Sequence, residues 1–143
     1  MREILFKAKR IDNGEWVKGS LFAEGKITKI IRGTCNTIGI EGVDVNPETI
    51  CQCTGLEDNH GKLIWENDIL SIGKKMDSIG NYYHPPVKYP TNVLVRWDLC
   101  AWLWETISKN KNEKYYISFP DAWCHYEAEV IGNIFDNPEL MHE

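Results

Sequence analysis

The chain has 143 residues, of which 43% are hydrophobic and 26% are charged, and its net charge at pH 7 is −5. This length suits one domain or two small β units that share a core, and six Trp, six Tyr and four Phe argue against disorder because so much aromatic surface drives burial. The negative charge disfavours bulk binding of nucleic acid through its phosphates, and no stretch approaches the roughly 20 apolar residues of a membrane span.

The first segment of the chain predicts a β-hairpin. The apolar residues of ILFKA (4–8) lead into Asn13-Gly14, a dipeptide that favours a two-residue type I′ turn because both residues tolerate positive φ. The chain then returns over residues 15–22. A third strand is expected over residues 26–33, where β-branched residues are frequent.

A second set of strands follows an irregular Gly-rich segment (34–49) and a strand, ETICQCT, over residues 48–54. No run of a dozen residues has a clean helical period, so only short helical turns are expected, at 120–127 and at NPEL (137–140). The strands predicted in this second set are 63–72, 92–98, 101–108, 114–119 and 128–135.

These elements predict a mainly β fold with few short helical turns. Residues 1–54 are expected to form an antiparallel β-hairpin unit, and residues 55–143 a small SH3-like antiparallel β-barrel, with one compact domain as the alternative. Residues 73–91 have no clear element, and loops of this length are usually functional or disordered. The residues of this loop that we expect on a binding surface are Tyr82, Tyr83, His84 and Tyr89.

An acidic stretch, TGLEDNHGKLIWENDIL, leads into the first strand of the second set. It does not fit a calcium-binding EF-hand, because aligning Gly61 to position six of the loop places Leu56 first and Asn67 twelfth. A wide polar turn fits better, with Gly61 at positive φ. Asp68 is then expected to accept backbone N–H groups at the entry to the next strand.

The same stretch permits an enzymatic interpretation. Glu66 and Asp68, two residues apart on one predicted strand, would share a face near His60. Paired carboxylates with a histidine can bind a divalent ion, as in a metal-dependent enzyme of nucleic-acid metabolism. No nucleophile motif or phosphate-binding loop accompanies them, so the sequence favours a protein that is not an enzyme and has no cofactor.

The cysteines raise the question of a zinc site. Cys51 and Cys53 should point to one face of a strand, and Cys124 and His125 could complete a ligand set. A CxC pair on a strand lacks the backbone turn of a CxxC knuckle, so we expect Cys51 and Cys53 to be buried as small apolar residues instead, without metal.

Three tryptophans lie on the neighbouring strands predicted at 92–98 and 101–108. Trp102 and Trp104 should share a face, and with Trp97 they could stack nucleic-acid bases. Core packing is the commoner role of Trp in small β proteins, and Arg96 is the only base within the two strands, so the sequence favours the core.

Charge is distributed unevenly along the chain. Residues 1–34 carry a net charge of +4 and the remaining residues −9. Opposite halves can attract each other between copies, so we expect a homo-oligomer. The basic first third also leaves direct nucleic-acid binding as an alternative function.

The first ten residues, MREILFKAKR, lack the apolar core of a signal peptide because charges interrupt each apolar run. With no membrane span either, the protein is expected in the cytoplasm. Its five cysteines are then expected to be reduced, and an odd number cannot pair completely within one chain.

The sequence resembles the YopX family of phage and prophage proteins. The resemblance rests on TGLEDNHGKLIWENDIL, on the opening REILFKAK and GEWVKGSL, on PETICQCTGL and on the closing EVIGNIFDNPEL. It implies a phage or mobile-element origin, a compact mostly β protein and self-association, and it carries over no established activity. We expect the protein to act in a bacterial host cell and to have a host or phage protein as a further partner. The chain departs from the family at Cys53, where an aromatic residue is usual, and at Asn67, where Gly is usual.

Overall fold

The computed structural model describes residues 4–32, 42–74, 91–98, 100–107, 116–118 and 126–142. The chain divides into two compact units, Met1–Gly55 and Leu56–Glu143. The predicted mainly β fold is confirmed, and every strand pairing in both sheets is antiparallel. The strands are β1 (Phe6–Lys9), β2 (Trp16–Glu24), β3 (Ile27–Ile31), β4 (Val43–Asp44), β5 (Cys51–Glu57), β6 (Leu63–Trp65), β7 (Asp68–Lys74), β8 (Thr91–Asp98), β9 (Ala101–Thr106), β10 (Tyr116–Ser118) and β11 (Tyr126–Asn133).

Helical structure in the described residues is limited to two short 3₁₀ turns, Pro47–Thr49 and Pro138–His142. The first begins at Asn46, whose side-chain oxygen accepts the backbone N–H of Glu48 at 3.0 Å. The second lies where NPEL predicts a helical turn. None of the described helices is long and apolar enough to cross a membrane.

The first hairpin forms as predicted, but through a different turn. Strands β1 and β2 pair from Phe6↔Gly19 to Lys9↔Trp16. The loop is four residues long, because the Arg10 N–H donates to the Glu15 carbonyl at 2.9 Å. Of the dipeptide Asn13-Gly14 only Gly14 has positive φ, at 71°, so the predicted type I′ turn is wrong.

The first unit packs around a small apolar core. Its strands lie side by side in the order β4-β3-β2-β1-β5, and the buried apolar residues of β1, β2 and β3 pack together. The segment after β4 is hydrogen-bonded on two sides. The Val45 N–H donates to the Thr28 carbonyl, and Val45 forms an isolated antiparallel β-bridge with Arg10, the residue after β1. The core residues are Ala8, Val17, Ile30 and Val45.

The second unit contains a five-stranded sheet of order β10-β9-β8-β7-β11. No strand pairing closes β10 onto β11 among the described residues, so the SH3-like barrel remains a prediction for this unit. The predicted helical turn at 120–127 is wrong for its described end, which belongs to β11. The core of the unit is Ile64, Leu70, Ile72, Val93, Val95, Trp104 and Ala128.

One predicted strand is interrupted. Residues 63–72 were expected to be continuous, but β6 ends at Trp65 and β7 begins at Asp68. The two residues between them form a turn in which Asn67 has a φ of 65°. Asn and Gly adopt left-handed backbone more readily than other residues do. This explains why Asn can occupy position 67, where Gly is usual in the YopX family.

Candidate functional site

The acidic turn after β5 is organised by the buried carboxylate of Asp58. One oxygen of Asp58 accepts the backbone N–H groups of His60 and Lys62, each at 2.9 Å, and the other accepts the N–H of Val130 at 3.0 Å. The side chain is 8% exposed. Gly61 has a φ of 77°, as predicted, so the turn can close without strain from a Cβ.

Two opposing effects act on the pKa of Asp58. Burial raises it, but hydrogen bonds from the backbone N–H groups of Val130, Lys62 and His60, with the charge of His60, outweigh burial and leave the pKa below its ordinary value. The carboxylate therefore stays ionised at neutral pH. An acceptor that is held ionised is suited to anchoring N–H groups rather than to exchanging protons.

The same turn covers part of the outer edge of β11. The Asn59 N–H donates to the Ala128 carbonyl at 3.0 Å, two residues from the Val130 N–H that Asp58 accepts. Strand β11 ends the five-stranded sheet, and an unpaired edge can recruit strands from other chains. The turn thus supplies the hydrogen bonds that a further strand would otherwise make at this point of the edge.

A second buried carboxylate fixes the turn between β6 and β7. Asp68 is 2% exposed, and its side chain accepts the Trp65 N–H at 2.8 Å, as predicted. The backbone of Asn67 joins two further segments, because its N–H donates to the Val95 carbonyl and its carbonyl accepts the Ile134 N–H. The stretch around Asn67 is therefore a junction between β8 and the end of β11.

The closing segment is fixed by close contact between Gly132 and Asn137. A Cβ on Gly132 would collide with the side chain of Asn137, which accepts the Asn133 N–H at 3.3 Å. The Asn133 side chain in turn accepts the N–H groups of Phe135 and Asp136. The bulge between Val130 and Gly132 begins this sequence of contacts.

A family model described as YopX protein matches residues 5–142. The chain belongs to the YopX family. The chain is also similar in structure to the crystal structure of protein EF1440 from Enterococcus faecalis, with 24% identity, a TM-score of 0.57 and 99% of each chain covered. At this identity the likeness shows the fold alone. No curated protein matches the chain.

Two of the segments that carry the YopX resemblance lie at these turns and junctions. TGLEDNHGKLIWENDIL contains both buried aspartates, and EVIGNIFDNPEL contains the bulge and the contact of Gly132 with Asn137. Each of these residues is engaged with the backbone or a side chain of the same unit. These motif residues of the second unit therefore hold its turns and its closing segment in place.

The enzymatic interpretation of this YopX protein depended on Glu66, Asp68 and His60. Glu66 lies in the turn before β7, so it does not share a strand face with Asp68. His60 approaches Glu129 instead, with Nε2 and Oε1 3.6 Å apart and both side chains more than half exposed. The described residues contain no group of three or more His, Cys, Asp or Glu side chains placed to hold a metal ion.

The predicted burial of Cys51 and Cys53 is confirmed. Both lie in β5 without a disulfide bond, at 1% and 8% exposure. The Cys51 thiol lies 3.4 Å from the Thr49 carbonyl. The other two zinc candidates, Cys124 and His125, lie outside the described residues, as do the loop candidates Tyr82, Tyr83, His84 and Tyr89.

The three tryptophans of β8 and β9 divide between core and surface. Trp104 is fully buried and belongs to the core, as predicted. Trp97 is 54% exposed and stands opposite Trp102, with the rings edge to face and their centroids 5.1 Å apart. The core prediction is therefore wrong for Trp97, because the end of the hairpin carries it beyond the packed layer.

Sequence reasoning missed an ion pair on the opposite face of the same two strands, in which a buried Glu105 meets a half-exposed Arg96. Arg96 donates to Glu105 at 2.8 Å, and Glu105 is 5% exposed. The hydrogen bond and the charge of Glu105 raise the pKa of Arg96. The register places Arg96 opposite Leu103 and Glu105 opposite Leu94, so the two charges are diagonal neighbours on the ladder. Because opposite charges do not face each other directly, the sequence pattern alone did not indicate the pair.

Proposed function

We propose that this chain is a non-enzymatic accessory protein of phage or prophage origin, which self-associates and binds a host or phage macromolecule in the bacterial cytoplasm. The observation that carries the proposal is the placement of its side chains. The candidate catalytic Asp68, like Asp58, is buried and engaged with backbone N–H groups, whereas the large apolar ring of Trp97 is exposed. This placement suits recognition better than acid–base chemistry.

Trp97 has the properties of a binding anchor. It projects from a regular hairpin, since β8 and β9 pair from Val93↔Thr106 to Asp98↔Ala101. The contact with Trp102 restricts the ring, so little side-chain entropy is lost when a partner covers it. Tryptophan is among the residues that contribute most at protein interfaces. The loop residues Tyr82, Tyr83, His84 and Tyr89 are included in the proposal as a further binding surface.

Self-association is tested by light scattering over a range of protein concentrations, at low and at high salt. We expect an oligomer whose affinity falls as salt rises, because the +4 and −9 parts of the sequence attract each other between copies. A monomer under all conditions would overturn self-association. An oligomer indifferent to salt would overturn only its electrostatic origin.

Binding of a macromolecule is tested by affinity purification from host cells with Trp97→Ala beside the wild type. Tyr116→Ala is the matched control, because Tyr116 is also an exposed aromatic residue, at 58%, on β10. We expect the variant at Trp97 to lose a partner that the wild type and the control retain. Equal recovery by all three proteins would show that Trp97 is not the anchor.

A further inference from the structure

The first unit carries an apolar groove beside the end of β1. Its volume is about 340 Å³, and the chain forms it where the segment after β4 leaves β3. Two isoleucines on its walls are unusually exposed, Ile11 at 67% and Ile27 at 51%. The residues that matter for the argument are Ile11, Ile27, Val45, Pro47, Lys26 and Lys29.

The backbone explains why the groove stays open. The Ile11 N–H donates to the Asp44 carbonyl at 3.1 Å, and the Val45 N–H to the Thr28 carbonyl at 3.2 Å. The next N–H, that of Asn46, donates to the Lys9 carbonyl at 2.8 Å, and the chain then enters the 3₁₀ turn that begins at Pro47. The walls are therefore tied at the floor, where Val45 is 1% exposed, and separate above it. A groove that is held open by the backbone needs little reorganisation to accept a partner.

The charges around the groove favour an acidic partner. Lys26 is exposed on its wall. Lys29 is paired at 3.1 Å with Asp44, which also lines the groove, so the lining carries one net positive charge, that of Lys26. The net charge of residues 1–34 is +4, whereas the rest of the chain carries −9. The chemistry that fits the groove is an apolar side chain flanked by carboxylates.

The second unit presents such a surface on β11. Glu127 and Glu129 are exposed, and because they are two residues apart on a strand their side chains point to the same face. Ile131 follows in the bulge and is 37% exposed. Ile11, Ile27 and Ile131 are all exposed in the single chain, so each is accessible to a partner.

The geometry points to docking of this groove on the Glu127–Ile131 segment of β11 in a second copy of the chain, which rests on the self-association proposed above. Ile131 enters between Ile11 and Ile27, and Glu129 approaches Lys26. The contact joins different surfaces of the two copies, the groove of one and β11 of the other.

A charge-exchange experiment tests the docking. Lys26→Glu and Glu129→Lys are made singly and together, and dimerisation is measured by sedimentation at fixed ionic strength. Each single change places like charges against each other, so we expect each to weaken the dimer about tenfold or more. The double variant is expected to recover to within about threefold of the wild type. Arg32→Glu is the control, because Arg32 follows the opposite end of β3 and is also exposed.

The apolar half of the contact is tested separately. Ile27→Ser is expected to weaken the dimer about tenfold or more while leaving the melting temperature unchanged, because Ile27 is 51% exposed in the single chain. A wild type that dimerises while the charge and Ile27 variants match it would overturn this docking and leave self-association standing. A wild type that stays monomeric would overturn both. Failure of the double charge variant to recover would also overturn the pairing of Lys26 with Glu129.

Discussion

The two units use acidic side chains in opposite ways. In the first unit the described carboxylates lie at the surface: Asp12 pairs with Arg10 at 2.6 Å and Asp44 with Lys29 at 3.1 Å, both more than 60% exposed. In the second unit three carboxylates are buried, those of Asp58, Asp68 and Glu105. Surface pairs are screened by water, whereas buried acceptors determine which backbone groups can leave solvent. Carboxylate chemistry should therefore govern the stability of the second unit and barely affect the first.

The largest effect is expected from Asp58→Ala. The change leaves three backbone N–H groups without their acceptor, one of them on β11, so we expect a loss of about 3 kcal/mol or more in the free energy of unfolding. Urea denaturation measures it. Asp12→Ala is the control from the first unit, and its denaturation midpoint should match the wild type. Equal effects of the two changes would remove the contrast between the units.

A comparison of two glycines in paired strands addresses the closing segment. Gly132→Ala forces a Cβ into the side chain of Asn137 and should cost about 1–3 kcal/mol. Gly73→Ala is the control, because a Cβ at Gly73 meets nothing within 4 Å and the change should be neutral or slightly stabilising. The measurement is the thermal midpoint of each variant. If both glycines tolerate alanine equally, Asn137 does not hold the bulge.

Substitutions at Glu66 and Asp68 distinguish a structural role of the turn before β7 from a catalytic role. Asp68→Ala removes the acceptor of the buried Trp65 N–H and should cost about 1–2 kcal/mol. Glu66→Gln lies in the turn and should change stability by less than about 0.5 kcal/mol. If Glu66 and Asp68 formed an active site, we would expect Glu66→Gln and Asp68→Asn to stabilise the protein instead. Thermal melts of Glu66→Gln and Asp68→Asn show which pattern holds.

Mild acid is expected to have the smallest effect on the free energy of unfolding. Because the pKa of folded Asp58 lies below its ordinary value of 3.8, its contribution to stability is complete above the pKa of the unfolded chain. It is lost as the pH falls through the lower, folded pKa. Stability should therefore decline from about pH 5 downward. In Asp58→Asn this decline should be shallower, and an unchanged slope in urea titrations at pH 3 to 6 would show that Asp58 does not contribute.

The parts of this fold that sequence predicted are those specified by neighbours in the chain. The hairpin of β1 and β2 and most of the later strands follow from alternating apolar residues and polar turns. Gly61 and Asp68 were assigned correctly because turns and strand entries have local signatures. The turn at Glu66-Asn67 was missed because apolar residues continue on both sides of it.

The remainder depends on distant partners. The carboxylate of Asp58 meets Val130 across 72 residues of sequence, and no local pattern identifies that partner. Glu105 appears in sequence as a residue of a solvated face, although its environment in the sheet buries it. Exposure of Ile11 and Ile27 in one groove also depends on where the segment after β4 runs. Such features require the tertiary structure, because burial is a property of the whole unit.

The separation between Asp58 and Val130 also has a consequence for biosynthesis. A ribosome adds about 5–20 residues per second, so Val130 is synthesised about 4–14 seconds after Asp58. The hydrogen bond from Cys53 to Leu5, by contrast, joins residues of the first unit that are synthesised early. The first unit can fold on the nascent chain while the strands of the second remain uncovered. Slow translation, or a chaperone that occupies β7 and β8 during this interval, would then decide how much of the protein reaches its native state.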